Sequence, residues 1–293
     1  MNDKLPLPEE STIDLPHLPK DGTHEIAPNL AYRRLAMVNV VFHGAHGDGN
    51  WTLIDTGVPM LGGLIESSAG DRFGEGVRPH SIILTHGHFD HVGNVRELAE
   101  KWAVPVYAHP LEFPYLTGLA AYPRVDPFVG GGIMPLTAPV FPSGPIDITH
   151  HLVELPGDGT LPGMPDWKWI HTPGHSPGHV SLWREKDRTL IAGDAFITTN
   201  MDSAYAVLTQ KPELHGPPTF LTVDWDAAKT SVATLAELEP ELVVTGHGQA
   251  MHGAEMRKAL HQLARDFERF AVPEGGRYVE HPARVEDGTA YRT

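Results

Sequence analysis

The chain has 293 residues, 41% of them hydrophobic, a formal net charge of -15 and no cysteine. This is enough apolar material for a large core without covalent staples. The missing thiols exclude disulfide frameworks, iron-sulfur clusters, cysteine-rich zinc fingers and cysteine nucleophiles, and 22 Lys plus Arg against 37 Asp plus Glu argue against a nucleic-acid partner. Any metal must therefore sit on His, Asp or Glu, and 19 histidines are available.

Residues 1–30 are rich in proline and acids and read as an arm lying over a single domain that spans residues 31–293. They contain no apolar run that would serve as a secretion signal, and no later stretch is long and apolar enough to cross a bilayer. The expected setting is the cytoplasm, without a membrane partner. Residues 31–42 and 51–54 read as strands around a turn at 43–50, where His43 and His46 are expected to face solvent. A short helix near 60–68, a buried strand at 80–85, a helix near 94–102 and a strand at 104–108 follow. Residues 110–145 break the rhythm. Proline, glycine and aromatics, among them Phe113, Tyr115, Tyr122, Phe128 and Phe141, suggest a loop that walls a pocket.

Strands at 152–155, 167–171, 180–183 and 189–192 continue the chain, and Asp224 reads as the N-cap of a helix presenting Ala228, Val232, Leu235 and Leu238 on one face. After Pro240 come a strand at 242–245 and a helix near 254–270, whose Met256, Leu260, Leu263, Phe267 and Phe270 share a core-facing stripe. The alternation predicts an α/β protein of two sheets covered by helices.

The densest chemical signal follows the strand ending at Thr85, in His86-Gly87-His88-Phe89-Asp90-His91. His86 and His88 project to one side and can grip an ion, while Asp90 and His91 face a second position. Three later residues stand beside glycine at strand ends: His175 in HTPGHSPGH, Asp194 in IAGDAF and His247 in VVTGHG. Five histidines and two aspartates suffice for two sites if one carboxylate bridges.

These motifs, with IDTG at residues 54–57, resemble in order those of the metallo-beta-lactamase fold hydrolases, over nearly the whole chain. The resemblance implies a four-layer αββα sandwich with the site at the mouth between the sheets. It implies His86, His88 and His175 on one metal, Asp90, His91 and His247 on the other, and Asp194 bridging. Asp55 would orient the metal-binding loops, with an Asx turn as the plainer role, and His179 would either orient the His175 loop or bond within the sheet.

Two zinc ions are the expected cofactor, with iron or manganese as alternatives. They would share a water whose lowered pKa delivers hydroxide to an electrophilic centre, with Asp90 as ligand and candidate proton shuttle. Asp194 argues against antibiotic hydrolysis, because the true beta-lactamases of this fold lack an aspartate there, and the lack of cysteine excludes the subclasses with a cysteine ligand but not the one with His and Asp alone. Lactonases of the family often carry tyrosine three residues after the bridging aspartate, where this chain has Ile197; Tyr115, Tyr122 and Tyr205 are the candidates to reach the site instead. Glyoxalase II-like enzymes bind their thioester with basic residues near the C-terminus, and Arg257, Lys258, Arg265 and Arg269 are present, although mixed charges on a helix usually make a solvated face.

The reading is a two-zinc hydrolase of an ester, lactone or thioester of a small molecule. A mononuclear iron persulfide dioxygenase is the alternative; beta-lactamase or phosphodiesterase activity and a non-catalytic scaffold rank below it. Oligomeric state, a homodimer included, is left open.

Overall fold

The computed structural model describes residues 3–13, 20–129 and 145–292, so Phe141 and Gly130 to Gly132 lie outside the described residues. Two sheets carry the architecture. The first has seven strands in chain order: His24–Ala27, Leu30–Leu35, Val38–His43, Thr52–Ile54, Ser81–Ile83, Val106–Ala108 and Leu152–Glu154. The first four pair antiparallel, and the last four run parallel to one another. The second sheet orders Met251–His252, Leu242–Thr245, Thr189–Gly193, Val180–Arg184 and Lys168–His171, with Thr189–Gly193 and Leu242–Thr245 parallel.

Side chains on a strand alternate between faces, so a strand covered on both sides reads as a nearly unbroken apolar run. Leu53, Ile82 and Leu84 pack outward with Ile65, Val95 and Leu98 from the helices Gly62–Phe73 and Val95–Trp102. Their neighbours Ile54 and Ile83 point the other way, into a layer shared with Leu182, Ile191 and Val244 of the second sheet. That sheet's other face, with Trp183, Leu190 and Val243, is covered by Val232, Leu235, Leu260 and Leu263 of the helices Trp225–Glu237 and Gly253–Arg265. Helix, sheet, sheet, helix: the three apolar layers define the αββα sandwich.

Several local expectations change. Residues 31–42 form two strands, because the chain reverses at Ala36 and Met37, with Ala36 in the left-handed region at φ 58°. No Gly or Asn marks that turn. The helix expected near 60–68 spans Gly62–Phe73, and the one near 254–270 breaks at Asp266 into Gly253–Arg265 and Phe267–Phe270, with the predicted stripe buried throughout. The N-terminal segment packs on both sheets. Leu5–Pro6 pairs with Glu213–Leu214, and His24–Ala27 is an edge strand of the first sheet. His43 is buried beside Trp167 and Asn29, against the expectation of a solvent-facing ring, while His46 is exposed.

Candidate metal centre

In parallel strands the carboxyl ends gather on one side, and both sheets use that edge for the site. Asp55 follows Thr52–Ile54 and His86 follows Ser81–Ile83 in the first sheet; Asp194 follows Thr189–Gly193 and His247 follows Leu242–Thr245 in the second. His175 lies on the connection between Lys168–His171 and Val180–Arg184. The fold thus brings together every residue singled out in the motifs, and all seven candidate ligands are buried.

Their potential ligand atoms form three overlapping groups: His86, His88 and His175; His86, His91 and Asp194; and Asp90, His91 and His247. Asp194 stands between the outer two. Its Oδ2 lies 3.2 Å from Nε2 of His247, 3.4 Å from Nε2 of His175 and 3.5 Å from Nε2 of His91. Asp90 Oδ2 lies 3.4 Å from His247 Nε2 and 4.0 Å from His91 Nε2. Two donors about 2.1 Å from one tetrahedral ion stand about 3.4 Å apart, so these spacings suit a shared cation. A second observation agrees. Four buried atoms of the candidate ligands, His86 Nε2, Asp90 Oδ1, His91 Nε2 and Asp194 Oδ1, have no hydrogen-bond partner, a costly arrangement unless these side chains bind something. The donor set fits divalent metal.

The far sides of the rings are held. His86 Nδ1 meets Thr85 Oγ1 at 3.0 Å, His91 Nδ1 meets Asp55 Oδ2 at 2.8 Å, His175 Nδ1 meets Thr222 Oγ1 at 3.3 Å and His247 Nδ1 meets the Met37 carbonyl at 2.7 Å. Such partners fix tautomer and ring direction. His88 differs: its Nδ1 is the inward atom, 2.9 Å from His175 Nε2, and its ring packs on Tyr122.

The bonds of the Asp55 carboxylate go to Thr85 and His91, distant in the chain, rather than to a local Asx turn. Asp55 sits in the left-handed region at φ 59°, as a turn aspartate tolerates, and it accepts from the Thr85 amide and hydroxyl at 2.8 and 2.7 Å as well as holding His91. His179 holds the Asp194 backbone, a contact that neither expectation named. Its Nε2 accepts the Asp194 backbone N–H at 2.8 Å, and its Nδ1 turns to Thr172. Gly246 leaves room for Asp194, since a β-carbon there would meet Oδ1 at 2.0 Å.

Burial drives the pKa of His86 and His175 well below the usual imidazole value, and that of His88 to about 3, with neighbouring imidazoles adding to the effect. Neutral imidazole is the ligating form. On the other side burial also works against charge on His91 and His247, but it is outweighed by Asp194 and Asp90 at both, and by Asp55 as well at His91, so both shift upward. Asp194 is correspondingly held well below the carboxylate range despite its burial, by His247 and His91, whereas burial raises Asp90.

Glu112 is the residue that sequence reasoning missed. It is fully buried and takes hydrogen bonds from the Gly87 amide, the Gly178 amide, the Ser176 hydroxyl and Tyr122. Nothing in the run PLEFPYL distinguishes it from a surface acid. Among the tyrosines proposed to reach the site, Tyr115 gives its hydroxyl to the Ala290 carbonyl, Tyr122 gives its own to Glu112, and Tyr205 is exposed. Ile197 is buried in an apolar cluster with Val129, Met201 and Phe220. Arg257, Lys258, Arg265 and Arg269 pair with Glu241, Glu255, Asp266 and Asp3 on the outer helical layer, the solvated-face arrangement.

A two-sheet sandwich with a buried His/Asp cage at its strand ends defines a class, and comparison with known proteins assigns the family. Residues 33–247 match the model of the metallo-beta-lactamase superfamily, and the chain belongs to that superfamily. It is 48% identical over 215 residues, 73% of this chain and 81% of the relative, to the Bacillus subtilis (strain 168) protein called "Probable metallo-hydrolase YflN". A second relative from the same organism, "Probable metallo-hydrolase YybB", is 32% identical over 58% of this chain and 65% of its own length. Among solved structures, a beta-lactamase domain protein from Burkholderia ambifaria superposes with a TM-score of 0.61 at 22% identity, covering 88% of this chain and 80% of the other, a likeness of fold.

Proposed function

We propose that this protein is a dinuclear zinc hydrolase that cleaves an ester, lactone or thioester bond of a small molecule. The observation that carries the reading is Asp194, whose Oδ2 lies between His175 on one side and His91 and His247 on the other, so that one carboxylate serves two complete ligand groups. His86, His88 and His175 would hold the first ion, Asp90, His91 and His247 the second. A pair of bound divalent cations supplies Lewis acidity toward the acyl carbonyl and lowers the pKa of water toward neutrality.

The chain's own groups do the rest. The neutral imidazoles of the first group are ready to bind without losing a proton, while the carboxylates around His91 and His247 compensate the charge of the second. Asp90 has one oxygen, Oδ1, free of any hydrogen bond, and a pKa raised by burial. It is therefore suited to take the proton of the attacking water and return it to the departing alkoxide or thiolate. No serine or cysteine nucleophile is needed. The names of the relatives support hydrolysis, and the completeness of the second group favours two metals over one iron.

Metal analysis of purified protein, with a panel of lactone, thioester, ester, phosphodiester, beta-lactam and glutathione persulfide substrates, tests the reading. Two moles of zinc and turnover of an acyl substrate are expected, with His86→Ala and Asp194→Ala losing metal and about 100-fold or more of that turnover. One mole of iron with oxygen uptake on the persulfide would overturn it, as would full activity in either variant.

A further inference from the structure

Glu112 contacts no reacting group, yet it is wired to both loops that carry the first three histidines. Its Oε2 accepts the Gly87 amide at 2.9 Å, from the single residue between His86 and His88, together with the Tyr122 hydroxyl. Its Oε1 accepts the Gly178 amide at 2.7 Å and the Ser176 hydroxyl at 2.9 Å, from the loop that follows His175. Tyr122 then lays its ring on His88, with centroids 4.3 Å apart. One carboxylate thus joins two loops that are far apart in the chain, next to the ligands on each.

The glycines of the two motifs bear its imprint. Neither Gly87 nor Gly178 has positive φ, so backbone conformation does not require glycine at either place. Space does. A β-carbon on Gly87 would stand 2.5 Å from the Tyr122 oxygen and 3.3 Å from Glu112 Oε2, and one on Gly178 would stand 2.8 to 2.9 Å from Glu112 Cγ, N and Oε1. Both motifs are shaped to let this side chain in.

We infer that Glu112 is a positioning residue of the metal centre: it clamps the His86–His88 loop to the His175 loop and so sets the affinity of the three-histidine site. The inference rests on the metal reading above. Four donors converge on it, each oxygen receiving one backbone N–H and one hydroxyl, while burial opposes charge there with no cationic side chain among its hydrogen-bond partners. An amide cannot replace it. Whichever way a glutamine is turned, its NH₂ faces the N–H of Gly87 or of Gly178, and a backbone N–H cannot rotate away as a hydroxyl can.

The test is zinc titration of chelator-stripped full-length protein against a chromophoric competitor, alongside cobalt(II) absorption spectra. Glu112→Gln is expected to weaken one of the zinc sites by about 10- to 100-fold and to alter the cobalt bands. Tyr122→Phe, which keeps the ring on His88 and removes one of four donors, covers the case in which the glutamine variant fails to fold; a smaller loss of the same site is expected from it. Wild-type affinity and an unchanged cobalt spectrum in Glu112→Gln, or in Tyr122→Phe where only that variant folds, would overturn the inference. A wild type that takes up a single zinc refutes the two-metal reading instead, and the variants are then compared at that one site.

Discussion

A histidine behaves as a neutral group where burial outweighs the carboxylates around it, and His43 offers the clearest case away from the metal centre. Burial, with Arg184 nearby, lowers its pKa to about 4. In the unfolded chain it titrates near 6.5, so between those values the unfolded state binds the extra proton. The sign follows: stability is complete above pH 6.5 and declines as pH falls toward 4, by about 2 kcal/mol at pH 5 for this residue alone. Urea unfolding of wild type and His43→Gln at pH 7.5 and pH 5 should show the smaller pH loss in the variant. Equal losses would refute the assignment. The same physics keeps His86, His88 and His175 neutral, which is why the cage can be assembled from imidazoles without protons to expel on that side.

Secondary-structure elements place these residues by where they stop. The candidate ligands of both sheets follow the carboxyl ends of short buried strands, and helices are anchored just behind them. Asp224 caps the helix Trp225–Glu237, its Oδ1 accepting the Ala227 amide at 3.1 Å, and Arg284 is paired to it from the C-terminal segment. Asp224→Ala should cost about 1 kcal/mol, read as a lower urea midpoint, while Asp224→Asn keeps the cap and most of the stability; equal losses from both would point to the Arg284 pair instead. Elements with period-2 or 3.6-residue patterns were readable in the chain, and so was that cap. The reversal at Ala36 was not, because it is stabilised by pairing of the two flanking strands rather than by a turn residue. His43 misled for a related reason: it lies at a strand end, and its cover includes Trp167 from a distant segment.

Across the whole molecule, the cage is a junction. His86, Asp90 and His91 come from the first sheet's half of the chain and Asp194 and His247 from the second sheet. Asn39 adds a polymer-only link, its side-chain amide donating to the Thr245 and Gly248 carbonyls at 2.9 and 2.7 Å on either side of His247. Cations bound across that junction stabilise the native state alone, by about 4 kcal/mol when free metal exceeds the dissociation constant 1,000-fold. Reloading stripped protein with zinc should therefore raise its melting temperature by several degrees; coincident melting curves would refute a site that spans both halves.

Much of the centre was legible because metal ligation demands particular side chains, and the motifs set them at strand ends beside glycine. The seven ligand candidates, the two helix-covered sheets and the buried stripes of the two long helices all rest on such local rules, while the four-layer order came from the family resemblance. What no local rule contains is the meeting of distant segments. Asp55 reaching His91, His179 holding the Asp194 backbone, Met37 receiving His247 and Glu112 joining Gly87 to Gly178 are contacts across 15 to 210 positions of chain. A carboxylate in a proline-rich loop is an ordinary surface residue until folding removes its water, and only then do four donors from three segments of the chain become its solvent.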